Sequence, residues 1–174
     1  MSRMQLALIA TLAAQSLLLV GLTMRGGESP EIEPPPGLLV GDTIGTVRLR
    51  DGGMGTLGDS ARRAWTLLLV FSAECQWCDS VAPAWQVATQ APRPSGLRLI
   101  GVSRDSLAQA VGYVTRHGWQ LDAIRSLDAT LPLSREAQLT SRTPWYFLLN
   151  PAGRIRSIGH GAGIEEALAL VDQP

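Results

Sequence analysis

A short apolar run that ends in a cysteine pair at the mouth of a helix constrains this chain most. Thr66 to Phe71 reads Thr-Leu-Leu-Leu-Val-Phe, which suits a strand buried on both faces. Ser72-Ala73-Glu74 leads out of it into Cys75-Gln76-Trp77-Cys78, which holds the chain's only two cysteines. Asp79 to Gln90 then reads as a helix, with Pro83 inside it, where a missing N–H should kink it. Both thiols therefore fall at a strand-to-helix turn, Cys75 at the helix's N-terminal edge. Unpartnered N–H groups and the positive end of the helix dipole favour a thiolate there. A thiolate is the attacking species in disulfide exchange. Two intervening residues let the sulfurs close into a small disulfide ring and reopen. The competing readings are an inert structural disulfide and half of a zinc site. Zinc needs more Cys or His ligands, and His117 and His160 are not spaced as a second pair, so no metal is expected.

The rest of the soluble part alternates between strand and helix patterns. Thr43 to Leu49 and Gly53 to Leu57 suggest a hairpin around the turn pair Asp51-Gly52. Leu97 to Val102 reads as a second core strand. Ser103 or Asp105 is the expected cap of a helix running to about His117, with Leu107, Val111 and Val114 on one face, and Gly118 stops it. A short strand is expected within Trp119 to Leu127 and a short helix within Leu131 to Leu139. Trp145 to Leu149 is a strand, Asn150 to Gly153 a turn, and Arg154 to Ile158 its hairpin partner. Ile164 to Val171 is the closing helix. Alternating strands and helices imply an α/β class, with a mixed sheet flanked by helices.

Before all of this, Met4 to Met24 carries no charge and is rich in Leu, Ala, Ile and Val. About 20 such residues span a bilayer as a helix. Arg3 and the amino terminus lie on one side of the stretch, and Glu28, Glu31 and Glu33 follow Arg25 on the other. That bias places the N-terminus in the cytoplasm. No clean small-x-small cleavage site follows, so an uncleaved anchor is expected over residues 1–25 rather than a signal peptide. Residues 26–37, with Gly-Gly and Pro34-Pro35-Pro36, read as a semi-extended linker, and 38–174 as one domain. The domain would then sit on the extracytoplasmic, periplasmic side of the cell membrane. Fifteen basic and fifteen acidic residues balance, so nothing points to nucleic acid. All the basic residues are arginine, which excludes lysine chemistry; Arg62-Arg63 reads as a solvated face.

In order along the chain come a strand, Cys75-Gln76-Trp77-Cys78, a helix with Pro83, and Thr143-Pro144 opening the strand Trp145 to Leu149. This sequence of features resembles the thioredoxin superfamily. The resemblance covers about Leu38 to Val171. It implies a thioredoxin-like fold and a cis Thr143–Pro144 bond lying against the dithiol. The interval between Cys78 and Pro144 exceeds that of a plain thioredoxin, which implies an inserted strand and helix. With the apolar N-terminal stretch, the chain is similar to the TlpA-like branch of membrane-anchored thiol–disulfide oxidoreductases. The family's buried acid aligns with Leu69, and the glutamate of some anchored relatives aligns near Val81, so the usual proton-transfer group is missing. Glu74, Asp79 or solvent is left for that role.

The resemblance implies Cys75 as nucleophile and Cys78 as resolving thiol, with Thr143 and Pro144 against them. Glu74, Gln76 and Trp77 flank the pair. The expected partners are a client protein disulfide and a dithiol electron donor in the membrane, with no cofactor. Glu74, a carboxylate beside Cys75, is expected to raise that thiol's pKa and so to favour a reductant. Trp77 is either an exposed docking residue or packed on its own domain. Two other functions compete. Ser72, three residues before Cys75, is a peroxiredoxin-like spacing, although the proline those sites carry upstream is absent. A redox-inert binding module on the same fold is the other.

Overall fold

The computed structural model describes residues 37–58 and 64–171. Its central sheet has five strands in the order β5-β4-β3-β6-β7, made of β3 (Trp65–Val70), β4 (Leu97–Ser103), β5 (Ala123–Ser126), β6 (Trp145–Leu149) and β7 (Ile155–His160). β3 runs parallel to β4, and β4 to β5. β6 runs antiparallel to both β3 and β7. A separate two-stranded ribbon, β1 (Thr46–Arg48) and β2 (Met54–Thr56), turns at Asp51-Gly52, where Gly52 takes a positive φ of 88° that suits glycine. The helices are α1 (Gln76–Gln90), α2 (Leu107–Arg116), α3 (Arg135–Leu139) and α4 (Ile164–Ala169).

Alternation along β3 explains the two-sided core. Leu67 and Leu69 point to one face, where they pack with Ala82 and Trp85 of α1, Tyr113 and Val114 of α2, and Ile164 of α4. Leu68 and Val70 point to the other, among Ile44, Val47, Leu57, Leu139 and Phe147. A strand buried on both sides needs apolar residues at every position, which is why Leu-Leu-Leu-Val reads as one run. The expectation of helices on both faces therefore holds unevenly: three cover one face, while α3 and the ribbon cover the other.

Several boundaries differ from the sequence expectation. α1 starts at Gln76, not Asp79, so the cysteine pair belongs to the helix's first turn. The cap of α2 is Ser106 rather than Ser103 or Asp105: its side chain accepts from the Gln109 N–H, and Gln109 returns a bond in a capping box. That start turns Ala110, Tyr113 and Val114 inward and leaves Leu107 and Val111 exposed. β7 runs on to His160, placing that histidine at a strand end rather than in a loop. Met4 to Met24, most of the linker and Arg62-Arg63 lie outside the described residues. Among the described residues, no helix is long and apolar enough to cross a membrane.

Candidate active site

Two neighbouring strands bring the parts of the site together. β3 and β6 are antiparallel with Val70 opposite Trp145. The loop leaving β3 and the residues entering β6 must therefore meet at one end of the sheet, although Cys75 and Thr143 are far apart in sequence. The Cys75 thiol donates to the Thr143 carbonyl at 3.7 Å, and the Thr143–Pro144 bond is cis. Pro144 is buried and directly precedes an interior strand, so it is not the strand-edge proline that isolated sequence statistics would favour.

Cys75 is the N-cap of α1, with extended backbone, and is partly exposed, while Cys78 is fully buried. The two are free thiols. Their surroundings push them apart. Burial by itself raises the Cys75 pKa, but the Thr143 hydroxyl, the Cys78 S–H and the backbone N–H groups of Cys78 and Trp77 outweigh it, so the thiol lies below its ordinary 9.0. Cys78 is pushed up to about 12, chiefly by burial, with further contributions from the Cys75 sulfur, against the Ser72 backbone N–H and the Thr143 hydroxyl. The outer sulfur is thus the one that ionises first, and the inner one keeps its proton.

The Glu74 side chain is exposed, where water screens a carboxylate, and the net shift of the Cys75 pKa is downward, so the contacts named above outweigh any rise from Glu74. Gln76 and Trp77 project from the first turn into solvent. Trp77 is 64% exposed, so packing against its own domain does not account for it. Trp85, Trp119 and Trp145 are core residues. Beneath the dithiol, Phe71 stacks on Tyr113 with centroids 5.3 Å apart, and Trp119 meets Phe71 edge-on at 5.3 Å.

One residue that sequence reasoning treated only as a helix cap organises the loop. Asp105, just past β4, accepts from Ala73 N–H at 2.6 Å, from Ser72 Oγ at 3.2 Å and from Ser103 Oγ at 3.0 Å. It ties the segment before Cys75 to the next strand. The available signal was its place after an apolar strand, at the same sheet end as the cysteines, where α/β proteins gather ligand groups. Ser72 spends its hydroxyl on Asp105, so it is not directed at the Cys75 sulfur as the peroxiredoxin-like spacing had suggested. Outside Cys75 lies an open cavity of about 640 Å³, lined by Glu74, Thr143, Arg50, Arg104 and Thr130 among others. Among the described residues, no cluster of His, Cys, Asp or Glu could hold a metal ion.

No family model matches the chain, and no curated relative does. Solved structures do. The thioredoxin domain of a thiol-disulfide oxidoreductase from Bacteroides vulgatus superposes with a TM-score of 0.56 at 18% identity, covering 78% of this chain and 96% of that one. The fold is thioredoxin-like. StoA from Bacillus subtilis gives 0.51 at 17% identity, over 73% of this chain and 95% of its own. A peroxiredoxin-like protein from Aquifex aeolicus gives 0.55 at 14%, over 79% and 88%. The thioredoxin-like frame is thus shared by a thiol-disulfide oxidoreductase and a peroxiredoxin-like protein, and the side chains must decide between them.

Proposed function

We propose that this chain is a thiol–disulfide oxidoreductase that exchanges disulfides of client proteins through Cys75 and Cys78, with supply of electrons from a membrane dithiol donor, rather than the poise of the pair, setting the direction as client reduction. The observation that carries the reading is the geometry of the pair: a part-exposed Cys75 at the cap of α1, 3.7 Å from the Thr143 carbonyl beside the cis Pro144 bond, with Cys78 buried one turn further in. Cys75 thiolate attacks a client disulfide and forms a mixed disulfide. Cys78 then attacks Cys75 and releases the reduced client. Thr143 supplies a hydroxyl to the sulfurs, and Pro144 fixes the chain beside them. Exposed Trp77 and the cavity outside Cys75 give a client surface to dock on. Peroxide reduction is disfavoured because the Ser72 hydroxyl is turned to Asp105.

The apolar Met4 to Met24 stretch supports placing the domain on the periplasmic side of the cell membrane, tethered by residues 26–37, with a membrane dithiol donor to recharge it. Reduction of insulin disulfides by the full chain, abolished in Cys75→Ser, tests the exchange reading. Turnover that survives Cys75→Ser, or consumption of hydrogen peroxide faster than of disulfide, overturns it.

A further inference from the structure

The resolving step needs a base. Cys78 is buried in an apolar cluster that includes Leu69, Phe71 and Trp85. On the helical side of the pair three polar groups converge. Asp79, next to Cys78 in the first turn of α1, accepts the Tyr113 hydroxyl proton on Oδ1 at 3.0 Å. His117 Nε2 lies 3.4 Å from that same oxygen. That nitrogen is shielded from solvent and forms no hydrogen bond. Tyr113 and His117 are four residues apart on one face of α2, their ring centroids 4.4 Å apart. Asp79 itself remains 57% exposed. So a carboxylate open to water reaches, through a buried hydroxyl, into the cluster that contains Cys78.

We infer that Asp79, with Tyr113 as the link, takes the proton of Cys78 during resolution. This rests on the exchange reading above. In that step the Cys78 S–H bond breaks and an S–S bond to Cys75 forms. The client sulfur leaves with the electron pair of the mixed disulfide. The Cys78 proton passes to the Tyr113 hydroxyl, directly or through one water, and the tyrosine's own proton moves to Asp79. From there it exchanges with solvent, to which Asp79 is open. Tyr113 is placed for this by geometry: its hydroxyl donates to Asp79 Oδ1 at 3.0 Å, and its ring lies in the same buried cluster as Cys78. The charged and titratable groups facing the cluster are Asp79, Cys75 and Cys78 from α1 and its cap, and Tyr113, His117 and Arg116 from α2. The Arg116 guanidinium lies 5.3 Å from the Tyr113 ring centre.

The test separates the two sulfurs. Full-length reduced protein is mixed with dithiobis(nitrobenzoate), and coloured thiolate is followed by stopped flow. The first release reports Cys75 attack, the second Cys78 resolving the mixed disulfide. Positioned general bases contribute about 10²- to 10⁴-fold. Asp79→Asn is expected to slow the second release by about 10²-fold while leaving the first within about twofold. Its second release should keep climbing with pH where wild type has levelled. If Asp79 acted only as a nearby negative charge, its removal would ease Cys78 ionisation and speed the second release. A faster or unchanged second phase therefore overturns the inference, as does an equal slowing of both phases. Should Asp79→Asn fail to fold, Tyr113→Phe, which keeps the ring, is read by the same criteria. Absence of any second release in wild type would instead sink the exchange reading itself.

Discussion

Thr143→Val tests how the outer sulfur is tuned. The substitution keeps the shape of the side chain, the backbone carbonyl 3.7 Å from Cys75 Sγ and the Pro144 bond, and removes only the hydroxyl. That hydroxyl heads the contacts that lower the Cys75 pKa, against burial, which raises it. A hydrogen bond to a charged group is worth about 1.5–3 kcal/mol. Sulfur is a weak acceptor, and Cys75 is partly exposed, so water replaces some of what is lost. About 1 kcal/mol remains, which is about a fivefold change in the thiolate equilibrium. The pKa should rise accordingly. Below both values, alkylation by iodoacetamide is proportional to the thiolate fraction and should slow about fivefold. The inner sulfur, at about 12, does not contaminate the measurement near neutral pH. Thr143→Ser, which keeps the hydroxyl, should restore the wild-type titration. An unchanged or lowered Cys75 pKa in Thr143→Val, or no rescue by serine, would refute the assignment.

Other perturbations follow from the same geometry. Cys78→Ala removes the S–H donor to Cys75, so the Cys75 pKa should rise, and the mixed disulfide with a client should persist long enough for mass spectrometry to name it. Asp105→Ala leaves the Ala73 N–H and two serine hydroxyls without their acceptor, a loss of about 2–4 kcal/mol in urea unfolding, and insulin reduction should fall with it. Glu136 is buried, which raises its pKa, but the Arg48 backbone N–H and other contacts win and hold it below 4.5. A depressed carboxylate contributes stability above its unfolded value that is lost as pH falls through the folded one. Unfolding of Glu136→Gln should therefore show a shallower decline below pH 4.5 than wild type; an identical slope would count against this. A Cβ at Gly159 would fall 2.1 Å from the Tyr146 ring, so Gly159→Ala should cost about 1–3 kcal/mol by overpacking, seen as a lower thermal midpoint.

Local chemistry was legible and long-range chemistry was not. β6 is bounded by Pro144 on one side and Asn150-Pro151 on the other, and its continuous apolar run could be read directly; its bounds are those observed. The placement of the cysteine pair where a strand meets a helix could be read in the same way. The start of α1 was misplaced because Cys75 offers no conventional cap: its side chain makes no capping bond, so nothing in the residue types marks where the first turn begins. The face of α2 was misread because Leu107 and Val111 are as apolar as Val114, and only the Ser106–Gln109 box sets the rotation. Asp105 joins residues on a different strand, and Tyr113 and His117 meet Asp79 from another helix. No spacing in the chain announces those contacts.

The β3–β6 register has a mechanical consequence. If a client is held by a mixed disulfide as proposed, it would pull on Cys75 while it rests against Thr143, and both residues hang from adjacent strands with Val70 opposite Trp145. β3 is hydrogen-bonded on both sides, so the tug of a diffusing or still-folding cargo is shared along two ladders of backbone bonds instead of prising a loop loose. On the proposed function, such a chain would let go of its cargo by chemistry while its grip stays in shape.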